Sequence, residues 1–289
     1  MPKKTIPLLL VPALLLTIVA LMPSQALAAS PHLSPHFYLK HGNAPLAGNL
    51  VYHGGPVMNG TANVYAIFWE PTGNVQTSYN SLIQRYFGDV NGTGLYHNNT
   101  QYNNSAGSHP SQEHLVASWV DSGAYPESPL LDSDIQKEVS HARLVNGWAT
   151  SIHNIFFVFL QAKENLCFDS SHRQCASNYF CAYHSYFGSN TIYAAMPYAA
   201  SFSCNPGTSP NHNDADQTIN VASHEQMEAA TDPLLNAWYD TSGSEIGDKC
   251  AWIFGPLNSS GGDVTWNGHS YIVQKEWDNH LTGCVLSGP

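Results

Sequence analysis

The run Asn154-Ile155-Phe156-Phe157-Val158-Phe159-Leu160 limits the folds open to this chain more than any other stretch. Its apolar residues follow one another without a polar break, the pattern of a central strand buried on both faces. Further strands are expected at Ala62–Trp69, stopped by Pro71, and at Thr191–Met196. From Tyr79 to Phe87 a helical face forms from Leu82, Ile83, Tyr86 and Phe87. Ser133 and Gln136 fit a capping box, opening a helix with Ile135, Val139, Ala142 and Val145 at helical spacing as far as Gly147. Residues 88–107, rich in Asn, Gly and Ser, read as loop with one short strand near Tyr96. Val264-Thr265-Trp266, the turn Asn267-Gly268 and Tyr271-Ile272-Val273 make a hairpin. Helices and strands in this order give an α+β class: a mixed sheet with packed helices and a β-rich C-terminal part.

The N-terminus reads as an export signal. Lys3 and Lys4 precede an apolar run from Ile6 to Met22, and Ala26-Leu27-Ala28 forms a small-residue cleavage site. Residues 1–28 are therefore expected to be removed, residues 29–49 to form an extended, His- and Pro-rich arm, and residues 50–289 to form one domain. The reading places the mature protein outside the cell, as a monomer with no membrane anchor after cleavage. A net charge of -11 argues against nucleic-acid binding through phosphate neutralisation. Six cysteines in an exported chain point to disulfides rather than thiolate metal sites. Several connectivities are open; sequence proximity favours Cys167–Cys175, Cys181–Cys204 and Cys250–Cys284.

The chemistry concentrates at Ser223-His224-Glu225-Gln226-Met227-Glu228, on a helix expected from about Asp216 to Thr231 and stopped by Pro233. Residues four apart share a helical face, so His224 and Glu228 stand side by side with Glu225 next to them. Zinc proteases use this geometry as H-E-x-x-H, with ligands at the ends and a general base between them. Here the second ligand position is Glu. A hydrolytic zinc site needs three protein ligands and an open position for water. Ser244-Glu245-Ile246-Gly247-Asp248 is the expected source of the third, with Glu245 first and Asp248 as a competing ligand or an acceptor for His224. Asp232 is a further option. Zn²⁺ is favoured by the imidazole, although an oxygen-rich shell also suits Ca²⁺ or Mn²⁺.

The alternative is a solvated helix on which these residues fall together by chance. Against it stand Val221, Ala222, Met227, Ala229 and Ala230, which make the helix apolar and suited to burial. Two carboxylates on a buried helix need a counter-charge. His184 is either an electrophile or ligand at this site or a structural histidine. His53, before Gly54-Gly55, belongs to a turn, and His269 is expected to face solvent. Trp238 and Tyr239 either wall a cleft or close the core.

Tyr52-His53-Gly54-Gly55-Pro56-Val57-Met58 followed by Asn63-Val64-Tyr65-Ala66-Ile67-Phe68-Trp69 resembles the opening of the plant EXORDIUM, or phosphate-induced, proteins. Phe180-Cys181-Ala182-Tyr183-His184 resembles their Cys-Gly-Phe-His segment, and Cys250 and Cys284 are similarly spaced. The plant proteins are extracellular, with no settled catalytic activity. Glu245-Ile246-Gly247-Asp248-Lys249-Cys250-Ala251-Trp252 and the His-Glu-x-x-Glu helix look instead like a microbial branch. That resemblance implies a zincin-like domain: a metallopeptidase in which His224, Glu228, Glu245 and Asp248 hold zinc, Glu225 activates water and His184 assists, with a peptide or protein as substrate. The alternative is a non-catalytic extracellular or wall-associated protein with a structural metal.

Overall fold

The computed structural model describes residues 1–2, 37–40 and 48–289. The export signal expected at residues 1–28 lies outside them apart from Met1 and Pro2. Six strands form the main sheet: β1 (Phe37–Leu39), β2 (Gly60–Trp69), β3 (Pro110–Asp121), β4 (Asn154–Leu160), β5 (Phe180–Phe187) and β6 (Thr191–Met196). Their order is β1-β5-β6-β4-β2-β3. The pairs β3–β2, β2–β4 and β4–β6 are parallel, whereas β5 runs antiparallel to both β6 and β1. The protein is thus α+β, with a mixed sheet.

β4 is buried along its whole length, as its unbroken apolar run requires. The two-residue strand period divides the side chains between two cores. Val64, Ala66, Phe68, Ile155, Phe157 and Phe159 face one core, under helices α1 (Tyr79–Asp89) and α4 (Ala215–Thr231). Ile67, Trp69, Phe156, Val158 and Leu160 face the other, under α3 (Asp132–Asn146). The remaining α-helix among the described residues, α2, is the single turn Gly94–His97.

Three sequence expectations need correction. Near Tyr96 the chain is helical rather than extended, because Thr93 caps α2 by accepting the Tyr96 N–H. α3 starts two residues earlier than expected and is capped by a different residue: the Asp134 carboxylate accepts the Leu131 N–H at 3.0 Å, whereas Ser133 lies inside the helix. β3 and β5 are strands for which sequence alone gave no signal. β3 is an edge strand with most of one side exposed, where Gln112, His114 and Ser118 stand beside Val116 and Val120. The hairpin forms at the expected turn, with Val264–Trp266 paired to His269–Tyr271, a second strand that begins two residues earlier than expected, and positive φ at Asn267 and Gly268.

Three disulfides close as proximity favoured: Cys167–Cys175, Cys181–Cys204 and Cys250–Cys284. No described helix is long and apolar enough to cross a membrane.

One pH effect belongs to the second core. Burial, together with the Asp121 carboxylate nearby, raises the Glu138 carboxyl of α3 to about 8. The folded chain then keeps a proton that the unfolded chain releases above about 4.5. Stability from this group is present at low pH and is lost as pH rises towards 8. Glu138→Gln should flatten that part of the stability–pH curve and raise the melting temperature at mildly alkaline pH. An unchanged slope in thermal melts would contradict this.

Candidate metal centre

α4 is almost wholly buried, and small side chains at Ala222, Ala229 and Ala230 let sheet and neighbouring helix approach it closely. It ends at Asp232, before Pro233, where Asp232 Oδ1 accepts the Asn236 and Ala237 N–H groups at 2.6 and 2.7 Å. Asp232 is thus committed to the turn through one carboxylate oxygen. Its carbonyl faces His184, which β5 projects towards the helix, with Nε2 at 3.2 Å.

His184, His224, Glu225, Glu228, Glu245 and Glu276 are all 0% exposed. Two groupings of metal-ligand type share Glu228: His184 with Glu225 and Glu228, and His224 with Glu228 and Asp248. His184 Nδ1 lies 3.5 Å from Glu225 Oε2 and 3.6 Å from Glu228 Oε2. His224 Nε2 lies 3.1 Å from Glu228 Oε1 and 3.8 Å from Asp248 Oδ1. The edge of a tetrahedral zinc shell is about 3.3–3.5 Å, from bond lengths near 2.1 Å. His184 Nδ1, His224 Nε2, Glu228 Oε2 and both oxygens of Glu225 and of Glu245 are buried without a hydrogen-bond partner.

The two imidazoles differ in how their second nitrogen is held. His184 Nε2–H donates to the Asp232 carbonyl, which leaves the Nδ1 lone pair facing the two carboxylates. At His224 the Gln274 amide nitrogen sits 3.0 Å from Nδ1 while also donating to the Gly247 carbonyl at 2.9 Å. That carbonyl fixes the amide's orientation, so Nδ1 accepts and the proton of a neutral His224 is on Nε2. His224 Nε2 therefore faces Glu228, and the His184 Nδ1 lone pair faces Glu225 and Glu228; both nitrogens are buried without a hydrogen-bond partner. The Asp248 N–H also donates to Glu228 Oε1, at 3.0 Å. Both contacts fall on the same oxygen, and Oε2 is left facing His184.

The carboxylates act on both imidazoles in the same direction. Burial opposes a charged His184, yet Glu245, Glu225 and Glu228 together hold its pKa well above the ordinary range. Burial also opposes a charged His224, but Glu228 and other carboxylates raise it to about 10. Burial lifts Glu225 to about 7 and pushes Glu245 and Glu276 well up. Burial would raise Glu228 too, but the charges and hydrogen bonds of His224 and His184 hold it below the carboxylate range. Four fully buried carboxyl groups face two imidazoles. Such a cluster needs additional positive charge, from protons or a metal.

The loop from Glu245 to Cys250 closes the site. Gly247 approaches so closely that a Cβ there would stand 2.5 Å from His224 Nδ1. The Trp277 N–H donates to the Ile246 carbonyl, and the Cys250–Cys284 bridge anchors the loop end. Of the two downstream candidates, Asp248 reaches the His224 group, while Glu245 lies beside His184, 3.8 Å from Nε2. Sequence reasoning missed Tyr38, Asn220, Gln274 and Glu276. The available signal was polar Gln274 and Glu276 set among Ile272, Val273 and Trp277.

The other candidates lie elsewhere in the fold. His53 stacks on Tyr239 at 3.6 Å, and Gly55 donates its N–H to the Asn236 carbonyl. His269, half-exposed, pairs with Asp89 at 2.6 Å. Trp238 donates its Nε1–H to the Asn103 carbonyl and packs on the core. None of the buried cluster lines the open groove formed by Ala162, Lys163, Tyr198, Ala200, Ser201, Phe202 and Asp214.

Two proteins of Arabidopsis thaliana are similar to this chain. Protein EXORDIUM-like 5 is 25% identical over 288 residues, covering 83% of this chain and 78% of the relative. Protein EXORDIUM-like 3 is 25% identical over 289 residues, covering 83% and 84%. No family model matches the chain. No solved structure matches it either. Over most of its length the chain is a distant relative of the EXORDIUM-like proteins, a likeness that supports the EXORDIUM family.

Proposed function

We propose that this is a secreted metal-dependent hydrolase of peptide bonds, with one Zn²⁺ held by His184, Glu225 and Glu228. The observation that carries it is the buried Nδ1 of His184, facing two carboxylate oxygens at ligand spacing and without a hydrogen-bond partner. Glu225 stands as close to Nδ1 as Glu228 does. A general base acts through the metal-bound water and belongs farther out, so Glu225 takes a ligand role. A metal bound there supplies a polarised water and a Lewis acid for a carbonyl. His184, Glu225 and Glu228 would hold the metal as three protein ligands, the number a hydrolytic zinc site uses. His224, 3.1 Å from Glu228, is a neighbouring group able to carry a proton. The disulfides fit an oxidising, extracellular setting.

A second reading, a non-catalytic extracellular protein with a structural metal, is favoured by the complete burial of the ligands. Zinc content and hydrolysis of an unfolded protein substrate, measured on one preparation, separate the two. Activity that a chelator removes and zinc restores supports the enzyme. Stoichiometric zinc without hydrolysis supports the structural role, and absence of bound metal overturns both.

A further inference from the structure

Residues 37–40 of the chain lie over His224, beside the candidate metal centre. β1 adds to the edge of β5 in antiparallel register, with Phe37 opposite Tyr183 and Tyr38 opposite Ala182, next to His184. Tyr38 is 0% exposed. One face of its ring stacks on His224 at 4.1 Å and 9°, and Trp252 stacks on it at 4.8 Å. The Asn220 amide donates to the Tyr38 hydroxyl at 3.1 Å, and Trp252 Nε1–H donates to the Leu39 carbonyl at 2.8 Å. Phe37 points the other way, into Phe168, Phe180 and Tyr183.

This is how an extended peptide binds a sheet edge: the ladder holds the backbone while alternate side chains fill pockets on the two faces. The strand is only three residues long, and residues 29–49 contain no cysteine to tie it down. We propose that residues 37–40 are a built-in, displaceable occupant of a peptide groove along β5. An extended peptide with an aromatic residue at the Tyr38 position, flanked by apolar residues, takes their place. Tyr38 then acts as an autoinhibitory cap over His224, the imidazole that shares Glu228 with the proposed metal site. The consequence for metal access rests on the metal-centre reading; the groove itself does not.

The test uses the full mature chain loaded with zinc and measures how fast a strong chelator removes the metal. Tyr38→Ala should speed removal about tenfold or more, since it weakens the closed state. Tyr38→Phe, which keeps the stack, should stay within about twofold of wild type. A synthetic peptide of residues 34–42 should slow removal again in Tyr38→Ala. If Tyr38→Ala does not fold, Trp252→Ala replaces it, with the same acceleration expected. Wild-type rates in the folded variant, or no effect of the peptide, overturn the cap while leaving the metal centre intact. Wild type that holds no zinc overturns both.

Discussion

Glu228→Ala is expected to cost more than any other side-chain truncation in this protein. Its two oxygens serve different partners: Oε1 takes His224 and the Asp248 N–H, while Oε2 faces His184. Truncation removes the one carboxylate that both buried imidazoles share at close range. Breaking a buried charge pair by removing one partner costs about 3–5 kcal/mol, and here the same change removes a proposed ligand. Urea unfolding should show that loss even in the presence of a chelator, because the imidazoles lose Glu228 whether or not metal is bound. A variant as stable as wild type would mean that Glu228 is not the centre of the cluster.

Removing the Cys250–Cys284 bridge, by Cys250→Ser with Cys284→Ser, is the second large effect. The bridge spans a separation of 34 residues, for which the chain-entropy account gives about 4 kcal/mol. It also fixes the end of the loop that places Gly247 against His224 and the Asp248 N–H on Glu228. The double variant should therefore unfold at lower denaturant and bind zinc more weakly. Reduced stability with unchanged zinc affinity would separate the bridge from the site.

How legible this arrangement was depended on how local each feature is. The apolar run of β4, the face of α1 and the length of α4 follow from period and composition, and each appears within a residue or two. The cysteine pairings followed proximity because each bridge joins neighbouring segments. The metal-type groups were less legible. His224, Glu225 and Glu228 lie on one helix and could be read together, but the proposed division between ligand and support could not. That division depends on which group meets the second nitrogen of each imidazole. The Asp232 carbonyl and the Gln274 amide do so, from 48 and 50 residues away in sequence. The arm gave no periodic signal because three residues on a sheet edge are too few to show one. Tyr38 reaches His224 only through the pairing of β1 with β5.

The most direct test of the central claim is zinc per chain, by elemental mass spectrometry, in wild type, His184→Ala, Glu225→Gln and His224→Ala. The geometry predicts about one zinc in wild type, loss in His184→Ala and in Glu225→Gln, and weakened but measurable binding in His224→Ala. Loss in His224→Ala, with full occupancy in His184→Ala and Glu225→Gln, would contradict it. The metal would then sit on the other side of Glu228, with Glu225 free to act as the base.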